Sequence, residues 1–198
     1  MNEQSNFSPW VTDGERTLVS TRVFDLLAAN VHCPRSGLHK EFYKLSASPW
    51  VNVIAVTPQG QLLLIRQYRF GSDRVELEIP GGIVDPGEDP LQAGLRELRE
   101  ETGYGGGTAQ LIGWVRPNPA IQDNICSTIL VEPVEKLGDP RFEDMEDIEV
   151  FAVPVNEALA MASSGEIRHG LVLNALTFYT MHRGITFPGK AGKEDSTR

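Results

Sequence analysis

Short apolar runs separated by turn residues set the pattern of this chain. Residues 50–57 (WVNVIAVT) have the length and β-branched content of a buried strand. Pro58-Gln59-Gly60 turns the chain, and residues 61–68 (QLLLIRQY) return, which predicts an antiparallel hairpin. After a turn at Gly71-Ser72-Asp73, residues 74–79 alternate strictly. A period of two predicts Val75, Leu77 and Ile79 facing inward and Arg74, Glu76 and Glu78 facing outward. Residues 110–115, 125–131 and 148–153 read as further strands, the last closed by Pro154. Asn156 is the expected cap of a short helix reaching Ser163, and residues 171–183 form a longer helix. Upstream, residues 1–15 read as a loose polar arm, residues 17–30 as one strand, residues 32–37 as a turn and residues 40–45 as a second strand. Strands, one helix, more strands and then helices predict an α+β layered protein.

One stretch departs from plain strand and turn chemistry. Gly81-Gly82 opens a loop that runs through Pro86-Gly87-Glu88 into a helix starting near Pro90. Asp89 suits the cap, Pro90 the first turn, Gln92 the capping-box position and Gly103 the residue after the end. At 3.6 residues per turn, Leu91, Leu95, Leu98 and Thr102 share one stripe, and Glu97, Glu100 and Glu101 share another face. Acidic clusters on helices are usually solvated surface, and that is the ordinary reading of ExxEE on its own. Here the carboxylates follow a rigid Gly-Gly loop, and Arg96 and Glu88 are spaced to brace loop against helix by a charge-assisted pair. Oxygen donors grouped in this way suit a hard divalent cation such as Mg²⁺.

Composition narrows the partners. The chain has 198 residues, enough for one domain and a small extra element, and a net charge of −9. Such a balance argues against duplex nucleic acid and against a basic membrane-surface protein. Two cysteines far apart, Cys33 and Cys126, supply no disulfide framework or zinc pair. No apolar run reaches the length of a membrane span, and the first residues lack a secretory pattern. The expected setting is cytoplasmic.

The glycine loop and helix resemble the Nudix box, G-x5-E-x7-R-E-U-x-E-E-x-G-U with U a bulky apolar residue. Gly82, Glu88, Arg96, Glu97, Leu98, Glu100, Glu101 and Gly103 stand in register, and Tyr104 fills a slot where the family more often has an aliphatic residue. Seven of these positions carry fixed polar or glycine identities, each with a background frequency of about 5–7%. Chance coincidence is therefore on the order of once in 10⁸ windows, and the bland reading of the glutamates loses its weight.

The resemblance implies a Nudix-type α/β/α sandwich with a mixed sheet, hydrolysing a nucleoside diphosphate linked to another group. It implies a Nudix domain over residues 49–185, preceded by a small antiparallel β element in residues 1–48 that serves a homodimer, and followed by a flexible tail, 186–198. By resemblance Glu97 and Glu101 are the principal ligands of Mg²⁺, with Mn²⁺ as an alternative. Glu100 assists them, the Gly81 carbonyl is a further ligand, and Arg96 supports them with Glu88. A late ligand or base is expected from residues 142–148. Glu146 aligns best, Glu143 and Asp144 are alternatives, and a solvated acidic turn is the competing reading. Arg66-Gln67-Tyr68-Arg69, Glu76, Glu78 and Pro80, together with Pro119 sixteen residues past Gly103, look like the ADP-ribose pyrophosphatase and nucleoside-diphosphate-sugar branch. Arg66, Arg69, Glu78, Arg116 and Pro119 are thereby the substrate-binding candidates. The stretch Asn118-Pro119-Ala120 departs from the Ser-Pro-Gly form of ADP-ribose enzymes, which keeps nucleotide sugars open as substrates. His169, beside Arg168, has two readings, a sugar contact or a structural histidine. A non-catalytic Nudix-fold sensor would be expected to lack a box carboxylate, and none is missing. A nucleoside triphosphate or cap pyrophosphatase shares the box and remains an alternative.

Overall fold

A computed structural model describes residues 8–142 and 146–189 of the chain. It divides into two compact units. The smaller runs to Ser48 and takes in Arg116–Asn124; the larger comprises Pro49–Val115 and continues from Ile125.

The smaller unit is a three-stranded antiparallel sheet of β1 (Val11–Ser20), β2 (Phe24–His32) and β3 (His39–Ala47), in that order. Residues expected as a loose arm, from Val11 on, are part of β1, and the single strand expected over residues 17–30 is two strands joined by a turn. Thr21 explains the break. Its hydroxyl accepts from the N–H groups of Val23 and Phe24 and donates to the Phe24 carbonyl, a turn that an apolar count does not register. The loop 116–124 joins this unit through the Ile121 carbonyl, which accepts from the Leu45 N–H at 2.7 Å.

The larger unit begins with β4 (Trp50–Ala55), β5 (Gln61–Arg69), β6 (Arg74–Glu78) and β7 (Gly81–Ile83), followed by α1 (Pro90–Thr102). Then come β8 (Tyr104–Gly105), β9 (Thr108–Val115), β10 (Cys126–Glu132), β11 (Glu135–Lys136), β12 (Ile148–Pro154), α2 (Val155–Ser164) and α3 (Gly170–Arg183). One sheet, β7-β4-β10-β9, is mixed, with β4 and β10 parallel; another, β12-β5-β6, is antiparallel; β11 and β8 make a short ribbon. The expected hairpin of β4 and β5 is corrected here. They touch at the bridge Val56↔Leu62 and then diverge into different sheets. The reason is that β4 is already paired on both sides, by β7 and β10.

Two apolar cores give the layers. Val51, Val53, Ala55, Ile129 and Val131 pack against Ala93 and Leu98 of α1. Ile54, Leu130, Leu62 and Leu64 pack against Ala158 and Leu159 of α2 and Val172, Ala175 and Leu176 of α3. The alternation of β4 thus feeds both faces, and the result is an α/β/α sandwich with a mixed sheet. Leu91 and Leu95 lie partly buried along the α1 stripe. Asp89, Pro90 and Gly103 take the positions the sequence expects: Asp89 accepts from the Leu91 N–H at 2.8 Å, Pro90 opens the helix, and Gly103 ends it at φ 70°. For α2 the expectation fails, because Pro154 occupies the cap position and Asn156 lies inside the first turn. Pro154 fixes φ and starts the helix without a side-chain acceptor. Among the described residues no helix is long and apolar enough to cross a membrane.

Candidate functional site

Backbone pairing places the glycine loop. The carbonyl of Pro80 accepts from the Val53 N–H at 2.8 Å, and the Val84 N–H donates to Pro49 at 2.9 Å, so β7 is pinned against β4. A side chain at Gly81 would run into the Val51 carbonyl, so this approach needs glycine. The Gly81 N–H is left to donate to Oε2 of Glu101 at 2.9 Å. Loop and helix therefore meet through a carboxylate.

On α1, Glu97 and Glu101 stand one turn apart and differ in burial from Glu100. Glu101 is 5% exposed, and the Glu97 and Glu100 side chains are 14% and 46% exposed. Arg96 organises the outer part. Its Nε and Nη2 hold the two oxygens of Glu88 at 3.0 and 2.9 Å, and Nη2 also donates to the Ile83 carbonyl at 2.9 Å. Its Nη1 donates to Glu97 at 2.9 Å and to Glu100 at 3.1 Å. All five N–H groups of the guanidinium are used, which a lysine could not reproduce. The hydrogen bond from Arg96 holds the Glu88 carboxyl below its usual range, and Glu88 in turn raises the Arg96 pKa.

The buried acids shift the other way. Burial raises Glu97 despite Arg96, and Glu100 and Glu146 add to the rise. Burial pushes Glu101 up to about 8; the Gly81 hydrogen bond and Arg69 oppose this, while Glu97 and Glu146 reinforce it. The Glu146 carboxylate thus lies in the electrostatic neighbourhood of both.

A second pair comes from β5 and β6. Arg69 grips Glu78 with two parallel bonds of 2.7 Å, Nε to Oε1 and Nη2 to Oε2. The Glu78 side chain is 4% exposed, against the expectation that it faces outward, and Val75, expected inward, is 64% exposed. The correction has a physical cause. Near the end of β6 both faces are covered, Leu77 and Ile79 on one as expected and Glu78 on the other, and a bidentate guanidinium compensates the buried charge. The bond to Glu78 raises the Arg69 pKa, and the fields of Glu101 and Glu146 raise it further. Arg69, Glu78, Glu101 and Glu146 form one electrostatic group.

Other candidates lie elsewhere. Arg66 pairs with Glu149 at 3.0 Å and stacks on Phe151 at 4.3 Å, on the face of the sheet packed by α2 and α3. It stands three positions before Arg69 on β5, an odd number, so the two point to opposite faces. Arg66 lines a cleft of about 260 Å³ with Arg74, Leu77 and Arg168. Arg116, whose Nη1 donates to the Asp123 carbonyl at 3.2 Å, and Pro119 belong to the smaller unit. His169 precedes α3, with Nδ1 buried and unpartnered among the described residues. Glu143 and Asp144 lie outside the described residues.

The donor set on α1 fits a hard divalent cation. It offers carboxylate oxygens alone, and burial without a cation disfavours their charge, raising Glu97 and pushing Glu101 up to about 8.

The NUDIX domain model matches residues 48–175. The chain belongs to the NUDIX family. An ADP-ribose pyrophosphatase of Bacillus subtilis (strain 168) is 30% identical over 176 residues, which is 88% of this chain and 94% of that protein. A CMP-5'-(N-acetyl-N-hydroxy-3-aminopropyl)phosphonate hydrolase of Streptomyces rubellomurinus (strain ATCC 31215) is 31% identical over 79% of this chain and 75% of its own length. A solved structure described as an ADP compounds hydrolase superposes with a TM-score of 0.78 at 18% identity, covering 91% of this chain and 98% of the other, and shares the fold. This NUDIX chain is accordingly a pyrophosphate-hydrolysing enzyme, with ADP-ribose pyrophosphatases among its relatives.

Proposed function

We propose that this enzyme hydrolyses the pyrophosphate bond of ADP-ribose or a nucleoside diphosphate sugar, giving a nucleoside monophosphate and a sugar phosphate, with Mg²⁺ as cofactor. The observation that carries the reading is the buried pair Glu97 and Glu101, held between the Arg96 fork and the Gly81 N–H. The names of the relatives supply the substrate class.

Glu97 and Glu101 hold the cation, Glu100 assists, and the Gly81 carbonyl is a further ligand. When bound, Mg²⁺ neutralises pyrophosphate charge and lowers the pKa of water beside phosphorus. Arg96 fixes the directions of Glu97 and Glu100 while anchoring the loop through Glu88 and Ile83. Glu146, whose field reaches Glu97 and Glu101, accepts the proton of the attacking water. Arg69, positioned by Glu78 through Nε and Nη2, offers a phosphate oxygen its Nη1, which has no partner among the described residues. Arg116 and Pro119 contact the nucleotide in this reading, and Arg66 serves the opposite face of the sheet.

The reading extends to a homodimer through the smaller unit. Strand β1 is exposed along its whole length, and Trp10, Leu18, Val19, Val23 and Tyr43 of this unit are exposed apolar side chains. Light scattering on the purified chain tests it, and a monomer at micromolar concentration rejects it. A cytoplasmic setting accords with two free cysteines, Cys33 and Cys126, and subcellular fractionation tests it.

The deciding experiment for the reaction is a substrate panel. Purified protein with Mg²⁺ meets nucleotide sugars, ADP-ribose, dinucleotides and nucleoside triphosphates, and the products are identified. Nucleoside monophosphate plus sugar phosphate supports the reading; cleavage of triphosphates alone overturns it.

A further inference from the structure

The smaller unit carries a cluster of ligating side chains outside the glutamate site. Asp13 on β1, His32 at the end of β2 and His39 at the start of β3 place their ligand atoms within 4.8 Å of one another, and among the described residues no other three do so. Nδ1 of His32 lies 2.8 and 2.9 Å from the two carboxylate oxygens of Asp13, and Nδ1 of His39 lies 3.4 Å from Oδ2. The imidazole centroids are 5.1 Å apart.

Three strands build this cluster. His32 and His39 are directly opposite in the β2–β3 ladder, so both side chains leave the same face. The hairpin between them is closed tightly. The Cys33 N–H donates to the Leu38 carbonyl at 2.9 Å, the Gly37 N–H donates to Cys33 at 2.8 Å, and Gly37 takes φ 67°. Asp13 falls in a register shift of β1, since Thr12 pairs with Val31 and Gly14 with Asn30. An extra residue in one strand re-aims its side chain, and here it aims a carboxylate at both rings.

The donors select the ligand. Without a cation, the Asp13 carboxylate meets Nδ1 of His32 at hydrogen-bond distance and Nδ1 of His39 at 3.4 Å. A divalent cation would take the Nδ1 lone pairs, with each ring's proton on Nε2, and share its charge among all three groups. Two imidazoles and one carboxylate are a zinc donor set with an open position, and imidazole suits Zn²⁺, Ni²⁺ or Cu²⁺ rather than Mg²⁺. Zinc bonds of about 2.0–2.1 Å in a tetrahedron put ligand atoms about 3.3 Å apart, so the two separations between Asp13 and the imidazoles need little change. The side chains of His32, Asp13 and His39 are 28%, 38% and 70% exposed, which leaves a route in for the ion and water.

We propose that Asp13, His32 and His39 form a transition-metal site, taking a cation of the Zn²⁺ class and clamping β1 to the β2–β3 hairpin. Its donors and metal preference differ from those of the box glutamates, and it does not rest on the pyrophosphatase reading.

The test uses the full chain, stripped of metal and titrated with Co²⁺ in millimolar Mg²⁺. The expected result is one equivalent of Co²⁺ with visible d–d absorption, and a response from the imidazole resonances of two of the four histidines. His39→Ala and Asp13→Asn each weaken binding by about tenfold or more, as does His39→Gln, which keeps the bulk of the side chain. The double variant Glu97→Gln, Glu101→Gln retains the absorption. Circular dichroism confirms that each variant is folded. Absence of Co²⁺ binding under these conditions overturns the proposal. So does a signal that survives His39→Ala and disappears in the glutamate variant.

Discussion

Gly82 packs its α-carbon against the carboxylate of Glu97, so closely that a methyl group built on it would overlap Oε1. No positive φ is involved at Gly82; the demand is for space. The obstructed atom ends a flexible side chain, so Gly82→Ala is met by Glu97 swinging away. We expect little change in stability and a loss of about ten- to a hundredfold in Mg²⁺ affinity or activity, the usual effect of disturbing a ligand's support. Activity against Mg²⁺ concentration, with a urea melt alongside, checks this. Unchanged Mg²⁺ dependence would show that Glu97 is not a ligand.

Glu101→Gln keeps the shape and removes the charge. The Gly81 N–H retains an oxygen acceptor, so the loop stays anchored. Metal-assisted charge stabilisation contributes several kcal/mol, and its loss lowers kcat on the order of a thousandfold. Steady-state kinetics and circular dichroism are the measurements. A folded variant turning over at the parent rate would remove Glu101 from the site.

The metal-free protein should lose stability as pH rises from about 4.5 to about 8. Burial raises Glu101 from 4.5 to about 8, so over that window the folded chain keeps a proton that the unfolded chain releases. Unfolding is then favoured by increasing pH, with a limiting slope of about 1.4 kcal/mol per pH unit from this group. Glu97 contributes with the same sign. Urea melts in EDTA across the window show the decline, and Glu101→Gln flattens it. Binding of Mg²⁺ displaces the proton, so affinity rises with pH up to about 8. Stability that climbs with pH in EDTA, to the same extent in both proteins, would contradict this.

Arg69→Met leaves Glu78 buried without its guanidinium. Removing one partner of a buried pair costs about 3–5 kcal/mol, and the exposure of Arg69, 44% of its side chain, reduces this to about 1–3 kcal/mol. Denaturant unfolding measures it. The double variant Arg69→Met, Glu78→Leu recovers part of the loss, because no unpaired charge remains, and activity separates the two roles. If Arg69 also contacts phosphate, the stabilised double variant still has a raised KM.

The site was legible in the sequence wherever the chemistry is local. Glu97, Glu100, Glu101, Arg96 and Glu88 sit within about four helical turns, and spacing alone put them together. Arg69 and Glu78 both stood out in the sequence, but their pairing depends on the register of β5 against β6, and alternation put Glu78 opposite Leu77 and Ile79 without showing that this face is covered as well. Asp13, His32 and His39 gave no motif, because their meeting depends on a hairpin closure and a one-residue shift in β1.

By itself the sequence determined α1, its caps and the glycine loop before it, because a helix repeats every 3.6 residues and each cap is read within a turn. Tertiary structure alone decided that β4 and β5 part into different sheets, that Glu78 is buried against Arg69, and that Arg66 faces away from it. These outcomes rest on which strands pair and in what register. A shift of one residue reverses every side chain, and pairing energies come from partners far apart in the chain, where no local pattern records them.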